Sequence, residues 1–586
     1  MEYLSNQKGD SISKNEKSLI IIFQDCIFLG VIVFVSAAPY IQKLGFYSDD
    51  WAFLARLHLS HARSFIELLD AFFRHNLWMR PIQGLYLSEL YNLFGINPFG
   101  YHLVNTIVIC LGIILFYLTL VELGLPRLIA LAAPVVYALL PHYSTDRFWY
   151  SAFQAPLSMT FYFLSLYCDL RTVRSESQHL WIWKLLALIS LLISTLSYEV
   201  FIPLFLLNPF LVWHSNRTQP NNKYTHPKTI LIIFGCLNLS ALIIVSVYKA
   251  AITSRITPHS LTEQLSWFAT FFKDVTVTAV TGDFGFRLPA VLLKILRDYP
   301  DPYIFCTGFA VGLIAFWYLC RVSNTSEEEL TGKPAMLNIM LFGLLLFGIG
   351  YSIFITNQNA DTSATGICNR VAIAAAAGLA LVLTGGFGWL TTWIPYRTWR
   401  TGFFCASIAL LCASGFIIIN TLSLFWATAA QRQQIVMKDI LSSVPALPSG
   451  STLIIDGICR YVGPAPVFET QWDVTGALRL IYQDPSLRGN VASTDLEIRD
   501  DGLYSKIYGT TLGPYIYQNL FIYNHQRKSI YSLTDANSAR NYFMNINPYS
   551  KNGCRWSKEG LGETVFGKND PKVELLRNTS PLHNFF

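Results

Sequence analysis

Charge is what this chain has least of. Only 14% of its 586 residues are Asp, Glu, Lys or Arg, where soluble domains carry about 25%. Hydrophobic residues reach 52%, a balance that excludes an ordinary soluble enzyme. The local signatures of soluble catalysis are missing too: there is no P-loop, HExxH, paired CxxC or GxSxG. That argues against an ATP-driven pump, a zinc protease and an esterase of the usual kinds. No internal repeat or low-complexity tract is present. The net charge of +6 comes mostly from basic residues flanking apolar runs and gives no sign of a nucleic-acid partner.

Apolar runs near twenty residues recur along most of the chain, long enough to cross a hydrocarbon core of about 30 Å. They predict a polytopic α-helical membrane protein with about 11 transmembrane helices, at roughly 18–42, 101–121, 127–141, 149–169, 180–197, 199–214, 229–249, 302–321, 337–356, 370–391 and 402–427. The first run, Ser18 to Gln42, is too long for a signal peptide and lacks a small-residue cleavage site. It reads as a retained span. Basic residues decide the orientation. With Lys8, Lys14 and Lys17 inside, the segments bearing Arg171, Arg174 and Lys184, then Arg217, Lys223 and Lys228, then Arg397 and Arg400 also fall on the cytoplasmic side. An odd count of spans puts the C-terminus outside.

The first external loop, 43–100, is itself basic, with Lys43, Arg56, Arg63, Arg74 and Arg80. Phe53, Leu54, Leu57, Phe65, Leu68, Leu69, Phe72 and Phe73 recur there at helical spacing. Two or three helices lying on the membrane surface are expected, or else a loop packed on neighbouring spans. From about Gln431 the composition changes, and 450–586 alternates short β-rich runs with a helix at Val474 to Tyr482. The expected division is a membrane domain over 1–430 and a small extracytoplasmic α/β domain over 431–586. Nine of the eleven cysteines lie in or beside apolar segments and act as small hydrophobes. Cys459 and Cys554 lie in the polar part, as a disulfide outside the cytoplasm or as two free thiols.

This topology gathers the scarce polar groups on one side. Tyr47 to Trp51 reads YSDDW, placing Asp49 and Asp50 just past the first span. The link His142 to Arg147 brings Asp146 and Arg147. Tyr198 and Glu199 form a hairpin tip, the Gly-rich stretch 282–287 brings Asp283 and Arg287, and Asn369-Arg370 opens a late span rich in Ala and Gly. Simple structural readings exist for each. Asp49 could cap a helix and Asp50 complement its dipole, Arg370 could snorkel, and Asp146 could pair with Arg147. Arg80, before Pro81, suits a phosphate contact.

Asp-Asp-Trp after the first span, Arg80-Pro81 later in that loop, Ser197-Tyr198-Glu199 at a hairpin tip and Asn369-Arg370 at a late span together resemble the membrane glycosyltransferases of the GT-C fold. The similarity covers about 1–430 and is nearest to bacterial relatives of protein O-mannosyltransferases. It implies transfer of a sugar from a polyprenyl-phosphate donor to a protein, lipid or glycan acceptor, on the periplasmic face of a bacterial inner membrane. By that resemblance Asp50, then Asp49, would be the base, with Glu199 assisting. Arg370, Asn369, Arg80, Tyr198, Asp146 and Arg147 would bind substrate. The chain departs from relatives at Tyr198, where a lysine is frequent, and after Arg370, where the usual aromatics are missing.

The residues suit this chemistry on their own terms. A glycosyl phosphate already carries a good leaving group, so a carboxylate to take the acceptor proton and arginines for the departing phosphate suffice. Two acids can also hold Mg²⁺ or Mn²⁺, and metal use stays open. The alternatives are a transporter or flippase of lipid-linked sugars, or a non-catalytic membrane assembly protein. A transporter should bury its ionisable groups mid-bilayer between broken helices.

Overall fold

The computed structural model describes residues 2–544 apart from 63, 74–76, 175–178, 219–227, 253–259, 326–331, 357–359, 361–362, 494 and 508–509; Arg63, Arg74, Lys223 and Cys554 therefore lie outside the described residues. The side chains of Lys8, Lys14, Lys17 and Asp283 lie outside them as well.

The protein is mostly helical and is an integral membrane protein. Eight helices among the described residues are long and apolar enough to cross a membrane. They belong to α1 (Glu2–Ala37), α5 (Pro98–Glu122), α9 (Leu180–Ser197), α12 (Lys228–Ile252), α15 (Pro302–Thr325), α16 (Lys333–Ser352), α17 (Ile373–Thr391) and α18 (Arg397–Ser443). The other three expected spans take different forms. Residues 127–141 give only the thirteen-residue α6 (Arg127–Leu139), buried almost throughout. Residues 149–169 give α8 (Gln154–Thr172), and 199–214 break into a turn, α10 (Ile202–Phe205) and α11 (Asn208–Thr218).

Side-chain chemistry explains the difference. α8 carries polar groups that only other helices satisfy: Ser158 Oγ donates to the Ser194 carbonyl at 3.0 Å, Ser165 Oγ to the Ala187 carbonyl at 2.8 Å, and Asp169 pairs with Lys184 at 2.8 Å. Pro203 and Pro209 sit where the 199–214 run breaks.

Three helices form in the segment 43–100: α2 (Asp49–Leu59), α3 (Phe65–Phe73) and α4 (Pro81–Phe94). Leu54, Leu57, Leu68, Phe72, Leu87 and Leu90 pack into one cluster between them, while Ile66, Trp78, Leu85 and Leu93 stay exposed. Shorter helices complete the membrane part: α7 (Thr145–Phe148), α13 (Leu261–Asp274) and α14 (Leu288–Asp298), with a π-helical stretch at Val275–Phe286.

Helices α16 and α17 approach each other backbone to backbone. A Cβ on Gly378 would lie 2.3 Å from the Phe347 nitrogen, and one on Gly343 2.7 Å from the Val382 nitrogen. Small residues at such spacings are the usual route to close packing in lipid. The contact fixes where α17 begins, and so where Asn369 and Arg370 stand.

Helix α18 has 47 residues, about 70 Å at 1.5 Å per residue, far longer than a bilayer needs. It runs through position 431 without a break and leads into an α/β unit. There β1 (Thr452–Asp456), β4 (Arg488–Val491), β8 (Leu520–Asn524) and β9 (Ser529–Leu533) form a sheet ordered β4-β1-β8-β9. Central β1, TLIID, is buried at all five positions and pairs in parallel with β4 and β8, as expected of a strand covered on both faces. A hairpin of β2 (Tyr461–Val462) and β3 (Ala465–Pro466) precedes α19 (Gln471–Tyr482); β5 (Leu496–Arg499), β6 (Gly502–Ile507) and β7 (Thr510–Tyr515) form a second small sheet, and α20 (Ala536–Met544) follows.

The α/β unit is docked on the membrane part through α19 and α2. Gly476 makes this possible, because a Cβ there would lie 2.3 Å from the Trp51 carbonyl carbon. Ser48 Oγ meets Glu469 at the start of both helices, and Arg56 faces Arg479 further along both. The two helices therefore run side by side in the same direction.

Candidate active site

The site is built around the turn that opens α2. Trp149 Nε1 donates to the Tyr47 carbonyl at 2.9 Å, and the Tyr47 hydroxyl donates to the Trp426 carbonyl of α18 at 2.8 Å. Ser48 then takes φ 48 and ψ −121, a sparsely populated conformation that costs about 1–3 kcal/mol and is tolerated where surroundings enforce it. Here they do. Ser48 is buried and its hydroxyl donates to Glu469 Oε2 at 3.2 Å.

The two adjacent aspartates point into different environments. Asp50 is fully buried, and both its carboxylate oxygens accept hydrogen bonds. Tyr47 N donates to Oδ2 at 2.8 Å, while Ser151 N at 2.8 Å and Ser151 Oγ at 2.5 Å donate to Oδ1. Burial outweighs those donors and pushes its carboxyl up to about 8. Asp49 is half-buried. Burial raises it, the Arg370 guanidinium pulls it back and the Glu469 carboxylate pushes it up again, leaving it at about 6. A carboxyl poised there serves as a base near neutral pH.

Arg370 stands between two acids. It influences Asp49 on one side and Asp146 on the other, and its guanidinium lies 4.7 Å from the centre of the Trp149 ring. Asp146 is fully buried, and neither carboxylate oxygen has a hydrogen-bond partner. Burial raises it well above the usual carboxylate range, against the pull of Arg370 and Arg147.

Two residues expected to bind substrate are occupied by the protein instead. The Asn369 side chain accepts from Thr145 N and donates to Pro141 O, Ser144 Oγ and Ala364 O, each at 3.1 Å. It ties the start of α17 to the 141–147 link. The Arg147 guanidinium donates to the Ala138 carbonyl and, at 3.4 Å, to the Tyr143 hydroxyl, and Tyr40 bonds it as well.

Glu199 belongs to a second group. Its carboxylate pairs with Arg80 Nη2 at 2.9 Å and Lys249 Nζ at 2.9 Å, and the Arg80 guanidinium lies 4.6 Å from the Tyr198 ring centre. Burial works to raise the Glu199 carboxyl, but Arg80 and Lys249 hold it down at about 2. It is thus a permanent anion that orients two cations, and the trio carries net positive charge.

Helix α8 joins the two groups. Ser151, which holds Asp50, precedes it, and Ser158 Oγ donates to the Tyr198 carbonyl at 3.1 Å. Seven residues separate these serines, roughly 10 Å along a helix axis. Both groups therefore lie at the same end of the bundle. At the opposite end, Asp25 pairs with Arg127 at 2.6 Å and Glu122 with Arg171 at 3.1 Å.

Several participants escape sequence reasoning. Lys249 gave one signal, a lone lysine in the last turn of an apolar helix. Ser151, Glu469 and Asp473 gave none. Asp473 lies fully buried below Glu469, accepting from the backbone N–H groups of Glu469, Thr470 and Val474, and burial pushes it up to about 8. Among the described residues no three His, Cys, Asp or Glu side chains stand together as a metal cradle. Asp49 and Glu469 alone do not make the carboxylate-rich set expected for Mg²⁺ or Mn²⁺.

No family model and no curated protein matches the chain. Among solved structures it is similar to ArnT from Cupriavidus metallidurans bound to undecaprenyl phosphate, at 12% identity over 80% of this chain and 85% of that one, with a TM-score of 0.30. The apo form of that protein matches at 12% identity over 80% and 90%, with a TM-score of 0.30. The Archaeoglobus fulgidus oligosaccharyltransferase in complex with Zn and sulfate matches at 14% identity over 73% and 60%, with a TM-score of 0.32. Overlap this shallow leaves the function to the site itself.

Proposed function

We propose that this protein is an inverting membrane glycosyltransferase that moves a sugar from a polyprenyl-phosphate donor to an acceptor hydroxyl. The observation that carries the reading is the Asp49 carboxyl, half-buried between Arg370 and Glu469 at about 6, with Arg370 acting also on the buried Asp146. Asp49, not Asp50, takes the role of base, because Asp50 is sealed from solvent and spends its oxygens on Tyr47 and Ser151. Asp50 positions the turn.

In this mechanism Asp49 accepts the acceptor proton as the acceptor oxygen attacks the anomeric carbon. The bond from that carbon to the phosphate oxygen breaks, and the phosphate leaves on its lipid. One displacement inverts the centre. Arg80 and Lys249, preset by Glu199, supply positive charge for the leaving phosphate, and Arg370 holds Asp49 ionised. Exposed apolar side chains on α3 and α4 give a long lipid a route in from the bilayer. Placement of the site on the periplasmic side of a bacterial inner membrane follows the charge of the loops.

The test supplies membranes with radiolabelled polyprenyl-phosphate sugars and compares Asp49→Asn with the parent. Transfer by the parent and its loss in the variant are expected. A parent that folds yet transfers from no donor removes the enzyme reading.

A further inference from the structure

The parallel pair α2 and α19 has a chemical polarity that the reaction above does not use. Asp49 and Asp473 lie in their first turns, and Glu469 just precedes α19. Two turns further on the helices carry Arg56 and Arg479, joined from the sheet edge by Arg488. These three guanidinium groups line one groove of about 710 Å³, between the segment 43–100 and the α/β unit.

Helix dipoles account for one arginine near the end of each helix. They do not account for three, converging from α2, α19 and β4. Among the described residues no carboxylate forms an ion pair with any of the three. Arg479 Nε donates to the Leu487 carbonyl at 2.8 Å, which holds it in place without neutralising it. Glu67 and Asp70 stand on the α3 side of the groove. Burial and a neighbouring arginine lower both Arg56 and Arg479 from the usual guanidinium range; Asp484 offsets part of this at Arg479, and no carboxylate does so at Arg56 among the described residues. Clustered, partly desolvated arginines of this kind match oxyanions, whose two oxygens a planar guanidinium can bind at once. A concave site with low-dielectric walls concentrates such ligands.

Position completes the argument. Arg56 follows Asp49 by seven residues, two turns later on the same face of α2 and about 10 Å along its axis. We propose that this groove binds the phosphate or carboxylate groups of an anionic acceptor and so delivers its hydroxyl to Asp49. The acceptor role rests on the transfer reading above. The oxyanion site does not, and it can be tested without turnover.

The experiment uses the full chain in zwitterionic nanodiscs. Soluble inorganic pyrophosphate and an oligogalacturonate are titrated calorimetrically at low and high salt, and bound phosphatidylglycerol is counted by native mass spectrometry. Binding that weakens with salt is expected, with a roughly tenfold loss per arginine removed in Arg56→Gln and Arg488→Gln. Arg56→Lys should retain much of the affinity. Arg488 is exposed, so its variant tests the site without disturbing the core. Loss confined to the soluble probes assigns a free or glycan-borne anion, and loss confined to phosphatidylglycerol assigns a lipid headgroup. Either supports the site. A parent that binds none of the three, or variants that bind like the parent, overturns it. Intact anion binding in a protein that transfers no sugar would separate this site from the reaction.

Discussion

Two adjacent aspartates of the same type acquire different jobs from their surroundings. Asp49 meets Arg370 and Glu469, whose effects on its carboxyl oppose each other. The pH dependence of kcat/KM should therefore rise through about 6, since a base works only when ionised. Glu469→Gln removes a repelling charge and should shift that midpoint down; Arg370→Gln removes an attracting one and should shift it up. A pH–rate series on the three proteins reads both shifts, and movement of both in one direction would contradict the geometry. Asp49→Asn should cost roughly 10²–10⁴-fold in turnover. Stability should follow Asp50, whose carboxyl is raised from 3.8 to about 8. A group held more tightly protonated in the fold stabilises below the lower value, and its contribution is lost as pH rises through the upper one. Thermal unfolding between pH 5 and 9 should show the melting temperature falling over that window. The acids and arginines themselves were legible in sequence, because charge is rare in this chain and each stood at the end of an apolar run. Their partners were not. Ser48 and Glu469 are 421 positions apart, a separation across which no spacing rule operates.

At the scale of elements, hydrophobic runs announce helices more faithfully than they announce spans. The expected run at 149–169 is a helix, but its Ser158, Ser165 and Asp169 are bonded to neighbouring helices. Nothing in the local pattern distinguishes such a helix from one that faces lipid. The close pairing of α16 and α17 was legible only as a surplus of Gly and Ala. Its use is positional, since Asn369 and Arg370 sit in the turn from which α17 starts. Gly378→Leu cannot be accommodated with the Phe347 backbone 2.3 Å from the new Cβ. The expected result is a loss of about 1–3 kcal/mol or more, read as a lower melting temperature. Activity should fall with it as Arg370 moves. Gly386, on the same helix, has only the Met340 sulfur at 3.8 Å, so Gly386→Ala should leave both readings near the parent's and serves as the control.

In the whole molecule, the α/β unit is part of the candidate site. Sequence composition could not show that α19 lies along α2, because that contact depends on Gly476 and on a helix of 47 residues that carries the unit into place. The arrangement joins two functions on one helix pair: Glu469 tunes Asp49 at one end, and Arg479 completes the basic groove at the other. Disrupting the pair should therefore disturb both ends at once while sparing the bundle. Gly476→Leu would set a side chain against the Trp51 carbonyl carbon, 2.3 Å from its Cβ, and push α19 away. Limited proteolysis should then cut more readily in the connection between Ser443 and Thr452, which joins α18 to β1. The pH midpoint for transfer should fall as in Glu469→Gln, and oxyanion affinity should fall as in Arg56→Gln. The membrane helices, which do not depend on this contact, should keep their protection. If the variant changed only one of the two functional readings, the α2–α19 pair would not be the element that couples them.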